Sequence, residues 1–153
     1  MKATTKLANG IGTGLLAGLA GTAAMTVSST IEAKLRRRAF STAPADAAAK
    51  ALGIEAFESE AAHARFSNLV HWGYGTGWGV VRGVLRTAGV ARLAATPAHF
   101  AAIWGSALVT LPVLDVAPPV TMWGRREVAI DVFHHLVYVT ATALAYEALS
   151  SRD

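Results

Sequence analysis

The chain contains no cysteine, which excludes disulfides, thiolate metal sites and cysteine nucleophiles. Charge is scarce too: Asp, Glu, Lys and Arg make up 16% of 153 residues, where a soluble domain carries about 25%. A soluble protein of one domain's length needs more charge to cover its surface. Catalytic signatures are also missing. Ser28, Ser29 and Ser106 stand outside any GxSxG turn, and neither a P-loop nor an HExxH helix occurs. The stretch HWGYGTGWG, residues 71–79, misses the GxGxxG spacing, because the sixth position counted from Gly73 is Trp78 and from Gly75 is Val80.

What is present is hydrophobic. Apolar residues reach 53%, and they collect in long runs. Residues 7–31 carry no charge and are followed at once by KLRRR, residues 34–38; a bilayer crossing needs about 20 such residues. A second run, residues 66–81, lies between Arg65 and Arg82 and is long enough only if Arg82 snorkels so that GVL after it also lies in lipid. The third holds His99 and takes its start from Thr96 and Pro97, while Pro112, Pro118 and Pro119 close it. The fourth follows Arg125, Arg126 and Glu127 and is apolar except for Asp131, His134 and His135.

The expectation is therefore all-α: an integral membrane bundle of four transmembrane helices, spanning residues 8–31, 66–86, 96–114 and 127–148. The amphipathic connection 39–65 adds one or two short surface helices, with Pro44 at a start and Gly53 at a stop. Lys2, Lys6 and the small residues near Ala23 would also fit a cleaved signal peptide, but the run is longer than a signal core and KLRRR resembles a stop-transfer flank. The net charge of +4 does not point to nucleic acid, because the basic residues gather at the ends of apolar runs instead of forming a patch.

At about 100° per residue, Gly75, Gly79 and Gly83 share one helical stripe, with His71, Tyr74, Trp78 and Arg82 beside it. Gly10, Gly14 and Gly18 repeat the spacing in the first helix. Small residues four apart let helix backbones approach in lipid, where contact and not burial supplies the attraction. They can serve packing within one subunit or between subunits. Trp72, Tyr74, Trp78, Trp104 and Trp123 read as packing or interface anchors.

Ionisable residues inside the runs mark an interior. Asp131, His134, His135, Tyr138 and Thr142 fall within an arc of about 100° on the fourth helix, and such a stripe must turn away from lipid. Four spans would place Glu32, His71, Asp115, Asp131, His134 and His135 on one side of the membrane as a polar layer. The bland role of that layer is mutual satisfaction within the bundle. The functional alternatives are a transition metal held by His71, His134, His135 and Asp131, haem between histidines on facing helices, and a proton relay. No cofactor is the primary expectation.

Eight Lys and Arg residues (Lys34, Arg36, Arg37, Arg38, Lys50, Arg65, Arg125 and Arg126) would lie on the side of that layer, against five opposite: Lys2, Lys6, Arg86, Arg92 and Arg152. The excess puts that layer in the cytoplasmic half and both termini on the non-cytoplasmic side. The motifs GLLAGLAGTAAM, HWGYGTGWG, LPVLDVAPP and HHLVYVTATALAYEAL together resemble the YagU-type family of small bacterial inner-membrane proteins. That resemblance implies a helical fold in a bacterial inner membrane and supplies no catalytic residues. The functional expectation is a non-enzymatic helix-packing module, partnered by lipid and by either its own copies or a larger membrane complex.

Overall fold

The computed structural model describes residues 3–151, and those residues hold helices and no strand. Five α-helices follow in order: α1 (Ala3–Arg36), α2 (Ala43–Ala51), α3 (Glu60–Thr87), α4 (Arg92–Val113) and α5 (Arg125–Ser150), with a 3-10 turn at Val120–Met122 before the last. Local chemistry sets their ends. Helix α1 contains no proline and stops where Arg37 turns to a φ of 53°, with the Arg38 N–H closing back on the Ala33 carbonyl. Ser59 caps α3 by accepting from the Ala62 N–H at 3.1 Å, and Gly89 ends it at a φ of 86°, a left-handed conformation that glycine adopts without cost.

Two boundaries differ from expectation. The connection holds one surface helix, α2, within the one or two expected, but α3 begins at Glu60 instead of residue 66, because Ser59 captures the end of the IEAFESEAAHAR segment as its first turns. Helix α4 begins at Arg92, one turn before Thr96–Pro97, with the Ala94 and Ala95 N–H groups bonded to the Ala91 carbonyl. Pro97 then removes a single hydrogen bond from an early turn.

Among the described residues α1, α4 and α5 are the three helices long and apolar enough to cross a membrane. Helix α3 has the length but not the hydropathy, because glycines, His71, Arg82 and Arg86 dilute its apolar content. These helices have their hydrophobicity outside. Leu15, Leu16, Leu19, Phe133, Leu136 and Leu144 face outward, while Thr22, Arg82, His99, His134 and Thr142 are buried among Ala17, Ala95, Ile103, Tyr138 and Val139. In water this distribution would waste most of the apolar area the chain owns. In a bilayer it is the expected one, and the structure is that of a membrane protein.

Helix α1 lies between α3 and α5 and runs antiparallel to both. Its contact with α3 is backbone to backbone. A Cβ placed on Gly14 would lie 2.5 Å from the Gly79 carbonyl oxygen, one on Gly18 would lie 2.5 Å from the Thr76 carbonyl, and Gly10 abuts Thr87 and Gly83. Gly79 in turn leaves no more than 2.7 Å between such a Cβ and Gly18 Cα. Gly75 opposes Thr22, completing an interface several turns long. Gly73 and Gly77, on the outward face of α3, meet nothing within 4 Å.

Candidate functional site

The interior polar groups divide into two clusters and a connecting column. At the end carrying the α1–α2 connection, Glu32 is gripped by Arg38 and by Arg36, the latter at 3.0 Å, and Arg36 also reaches Glu127 of α5 at 2.7 Å. Glu32 stands beyond the uncharged run of residues 7–31. The Arg38 hydrogen bond, with Arg36 behind it, holds the Glu32 carboxyl down to about 2 against the opposing effect of burial. His134 Nε2 lies 3.8 Å from this carboxylate, and His134 Nδ1 is 2.9 Å from Ser28 Oγ.

Backbone carbonyls, which only accept, fix the tautomers of His99 and His135, whereas His71 and His134 meet hydroxyls. Ser28 Oγ stands 3.0 Å from the Met25 carbonyl and 2.9 Å from His134 Nδ1, while Nε2 of that ring faces the Glu32 carboxylate. Thr26 Oγ1 stands 2.7 Å from the Thr22 carbonyl and 2.8 Å from His71 Nε2. His135 Nδ1–H donates to the Asp131 carbonyl at 2.9 Å. His99, fully buried, donates Nε2–H to the Trp78 carbonyl at 3.0 Å. Each of the four imidazoles thus has one ring nitrogen hydrogen-bonded to protein.

The expected layer is therefore only partly assembled. Glu32 and His134 meet; His71 pairs instead with Thr26, six residues before Glu32 on α1. Asp131 accepts from Trp104 Nε1 at 2.8 Å and stands 3.6 Å from His135 Nδ1, instead of serving His134. Asp115 leaves the layer altogether. It sits exposed in the turn after α4 at a φ of 50°, and its carbonyl accepts from Lys50 Nζ at 2.8 Å. Tyr138 is buried and donates to the Gly75 carbonyl at 2.6 Å. Among the described residues no three His, Asp or Glu side chains converge closely enough to hold a metal ion.

The second cluster lies at the opposite end. Arg82 does not snorkel. Its side chain is 0% exposed and is paired with Glu147 of α5 at 2.9 Å and with Thr96 of α4 at 2.9 Å. Arg86 reaches the same carboxylate at 2.9 Å. The sequence pattern predicts a snorkelling Arg82 within the span 66–86 and gives no role to Glu147 or His99. The available signals were an arginine on the stripe beside the spaced glycines, and a single histidine in an otherwise uncharged run on the face of Ala95 and Ile103.

Between the clusters, Tyr138 packs edge-on against His99, ring centroids 5.6 Å apart, and Thr142 lies against Gly21. Four side-chain atoms in the described interior are buried with no hydrogen-bond partner: Arg82 Nε, His99 Nδ1, Thr142 Oγ1 and His134 Nε2. Two shallow grooves occur on outward faces, one on α5 at Phe133, Leu136 and Leu144, the other on α3 at Tyr74, Gly77 and Trp78, and neither includes a buried histidine. No family model, no curated protein and no solved structure matches the chain.

Proposed function

We propose that the chain is a multi-pass protein of a bacterial inner membrane in which all four long helices cross the bilayer, acting as a non-enzymatic packing module that self-associates or serves as an accessory subunit. The observation that carries this reading is the inverted burial pattern, leucines outward and Thr, His and Arg inward. For α3 as the fourth span there are two supports. Its glycine face lies on α1 without room for a side chain, so the two helices enter the same environment. Its least lipid-compatible group, the Arg82 guanidinium, is enclosed and neutralised by Glu147.

The outward Gly73 and Gly77 leave a smooth strip on α3 that a further helix could approach closely, which favours self-association. The resemblance to the YagU-type family favours the inner membrane, and the excess of Lys and Arg at the Glu32 end favours that end as cytoplasmic. Reporter fusions at each terminus test the topology. Four spans place both termini on one side, expected to be the periplasmic one. Termini on opposite sides would overturn the reading and leave α3 outside the bilayer.

A further inference from the structure

We propose that the corner between α1 and α5 at the Glu32 end binds an acidic phospholipid, its phosphate at the exposed arginines Arg125 and Arg126 and an acyl chain in the groove along α5. The proposal rests on α5 crossing the bilayer and does not depend on whether α3 does so.

The Arg36–Glu127 pair at 2.7 Å joins the end of α1 to the start of α5. One corner of the bundle therefore carries Lys34, Arg36, Arg37, Arg38, Arg125 and Arg126 against the two carboxylates of Glu32 and Glu127. Both carboxylates are engaged by Arg36 and Arg38. Lys34, Arg37, Arg125 and Arg126 are exposed and have no ion-pair partner among the described residues. They stand where the apolar runs of α1 and α5 meet the headgroup layer, and each cation at that level favours an anionic lipid. Guanidinium suits the task, because its planar fork can grip a phosphate through two parallel N–H donors.

Below those arginines lies the groove on α5. Arg126 and Leu144 are separated by about five full turns at about 100° per residue, so they lie on one line of the helix surface. Phe133 and Val137 fall within about 20° of that line. Phe133, Leu136 and Leu144 stand out as walls, 55%, 45% and 60% exposed, and the smaller Thr140 and Ala141 form the floor. From Phe133 to Leu144 the groove runs about 17 Å, close to one leaflet's half of a hydrocarbon core of about 30 Å. A chain entering below Arg126 thus ends where the groove ends.

A second copy of this chain fits the same face less well. Inserted in the same orientation, it would set its own Arg125 and Arg126 against theirs, and like charges brought together at an interface oppose association. A phosphate removes that repulsion. The groove on α3 at Tyr74, Gly77 and Trp78 lacks the charge component, since Arg82 and Arg86 beyond it are already paired with Glu147.

Native mass spectrometry tests the site on the full chain, released from detergent after incubation with equal amounts of phosphatidylglycerol and phosphatidylcholine. Phosphatidylglycerol should be retained with a preference of about tenfold, given two unpaired arginines. Equal retention of the two lipids overturns the proposal. Arg125→Gln with Arg126→Gln should bring the preference below about twofold, whereas Arg92→Gln, which removes an exposed cation at the opposite end, should leave it unchanged. An equal drop with Arg92→Gln would mean that total charge is recognised and not this corner. Ala141→Phe, compared at matched thermal stability, fills the floor of the groove and should lower phosphatidylglycerol retention about threefold; undiminished retention removes the groove from the site. Excess inorganic phosphate should not displace the lipid, and displacement would make the ligand a free phosphate. Terminal fusions read the topology separately: termini on opposite sides would remove α3 from the bilayer and leave this lipid preference intact, so the two failures are distinguishable.

Discussion

Against α3, helix α1 brings backbone to backbone through Gly10, Gly14 and Gly18, whereas against α5 it brings side chains: Ser28 and Glu32 to His134, and Arg36 to Glu127. The first contact has no atom to remove and no freedom to adjust. The second consists of groups that can each lose a partner and find water. The difference teaches where rigidity and chemistry are kept in this bundle. Attraction between helices in lipid comes from close contact, so the glycine seam fixes α1 on α3, and the interface with α5 is left free to hold polar groups.

That contrast breaks most sharply at Gly79. Alanine there would put its Cβ against the Gly14 carbonyl and 2.7 Å from Gly18 Cα, both backbone atoms of a helix that cannot yield locally. Gly79→Ala should lower the unfolding free energy in detergent by about 3 kcal/mol, the upper end of overpacking costs. A neutral result would show that the two backbones are not in contact. Next in size is Glu147→Gln, which leaves the enclosed Arg82 charge without its counter-ion. The expected loss is about 2 kcal/mol, discounted from the cost of a fully buried pair because Glu147 itself is partly exposed. Glu147→Gln combined with Arg82→Met should recover part of that loss, since the uncompensated charge then disappears. If the double variant is no better than the single one, Arg82 is solvated and the enclosed pair is wrong.

A smaller effect belongs to the side of α1 that faces α5. Ser28→Ala removes the hydroxyl bonded to His134 Nδ1 and should cost about 1 kcal/mol. The same substitution at Ser29, whose hydroxyl is bonded only to the Thr26 carbonyl, should cost less than half of that. Equal effects would show that the His134 contact contributes nothing beyond back-bonding within the helix.

The long helices were legible because uncharged runs and their basic flanks are one-dimensional signals. The inward polar stripe of α5 was legible because the chain cannot afford it elsewhere. Partner choice was not. Whether His71 meets His134 or Thr26 depends on a rotation of α3 about its axis, and that rotation is set by the whole glycine seam, from Gly75 on Thr22 to Gly83 on Gly10, a pairing with α1 that the spacing alone does not register. Arg82 was misread for a similar reason: its position in sequence says flank, while Glu147, which encloses it, arrives from a helix 65 residues away. Asp115 was placed by side of the membrane alone, and a left-handed turn after α4 carries it out of the layer.

The smallest expected effect is also the cleanest control. Gly77 and Gly79 differ by two residues on one helix, yet Gly77 has nothing within 4 Å of where a Cβ would stand. With no contact to disturb, Gly77→Ala should show only the intrinsic gain of alanine over glycine in a helix, a stabilisation of roughly 0.5–1 kcal/mol. The same exchange would then carry opposite signs at Gly77 and Gly79, and the difference would isolate the seam from any general role of glycine in α3. If Gly77→Ala instead destabilises the protein, and does so more at high protein concentration than at low, the outward strip is covered by a second copy in the membrane, and the distinction between a packed and an open face of α3 becomes one between two packed faces.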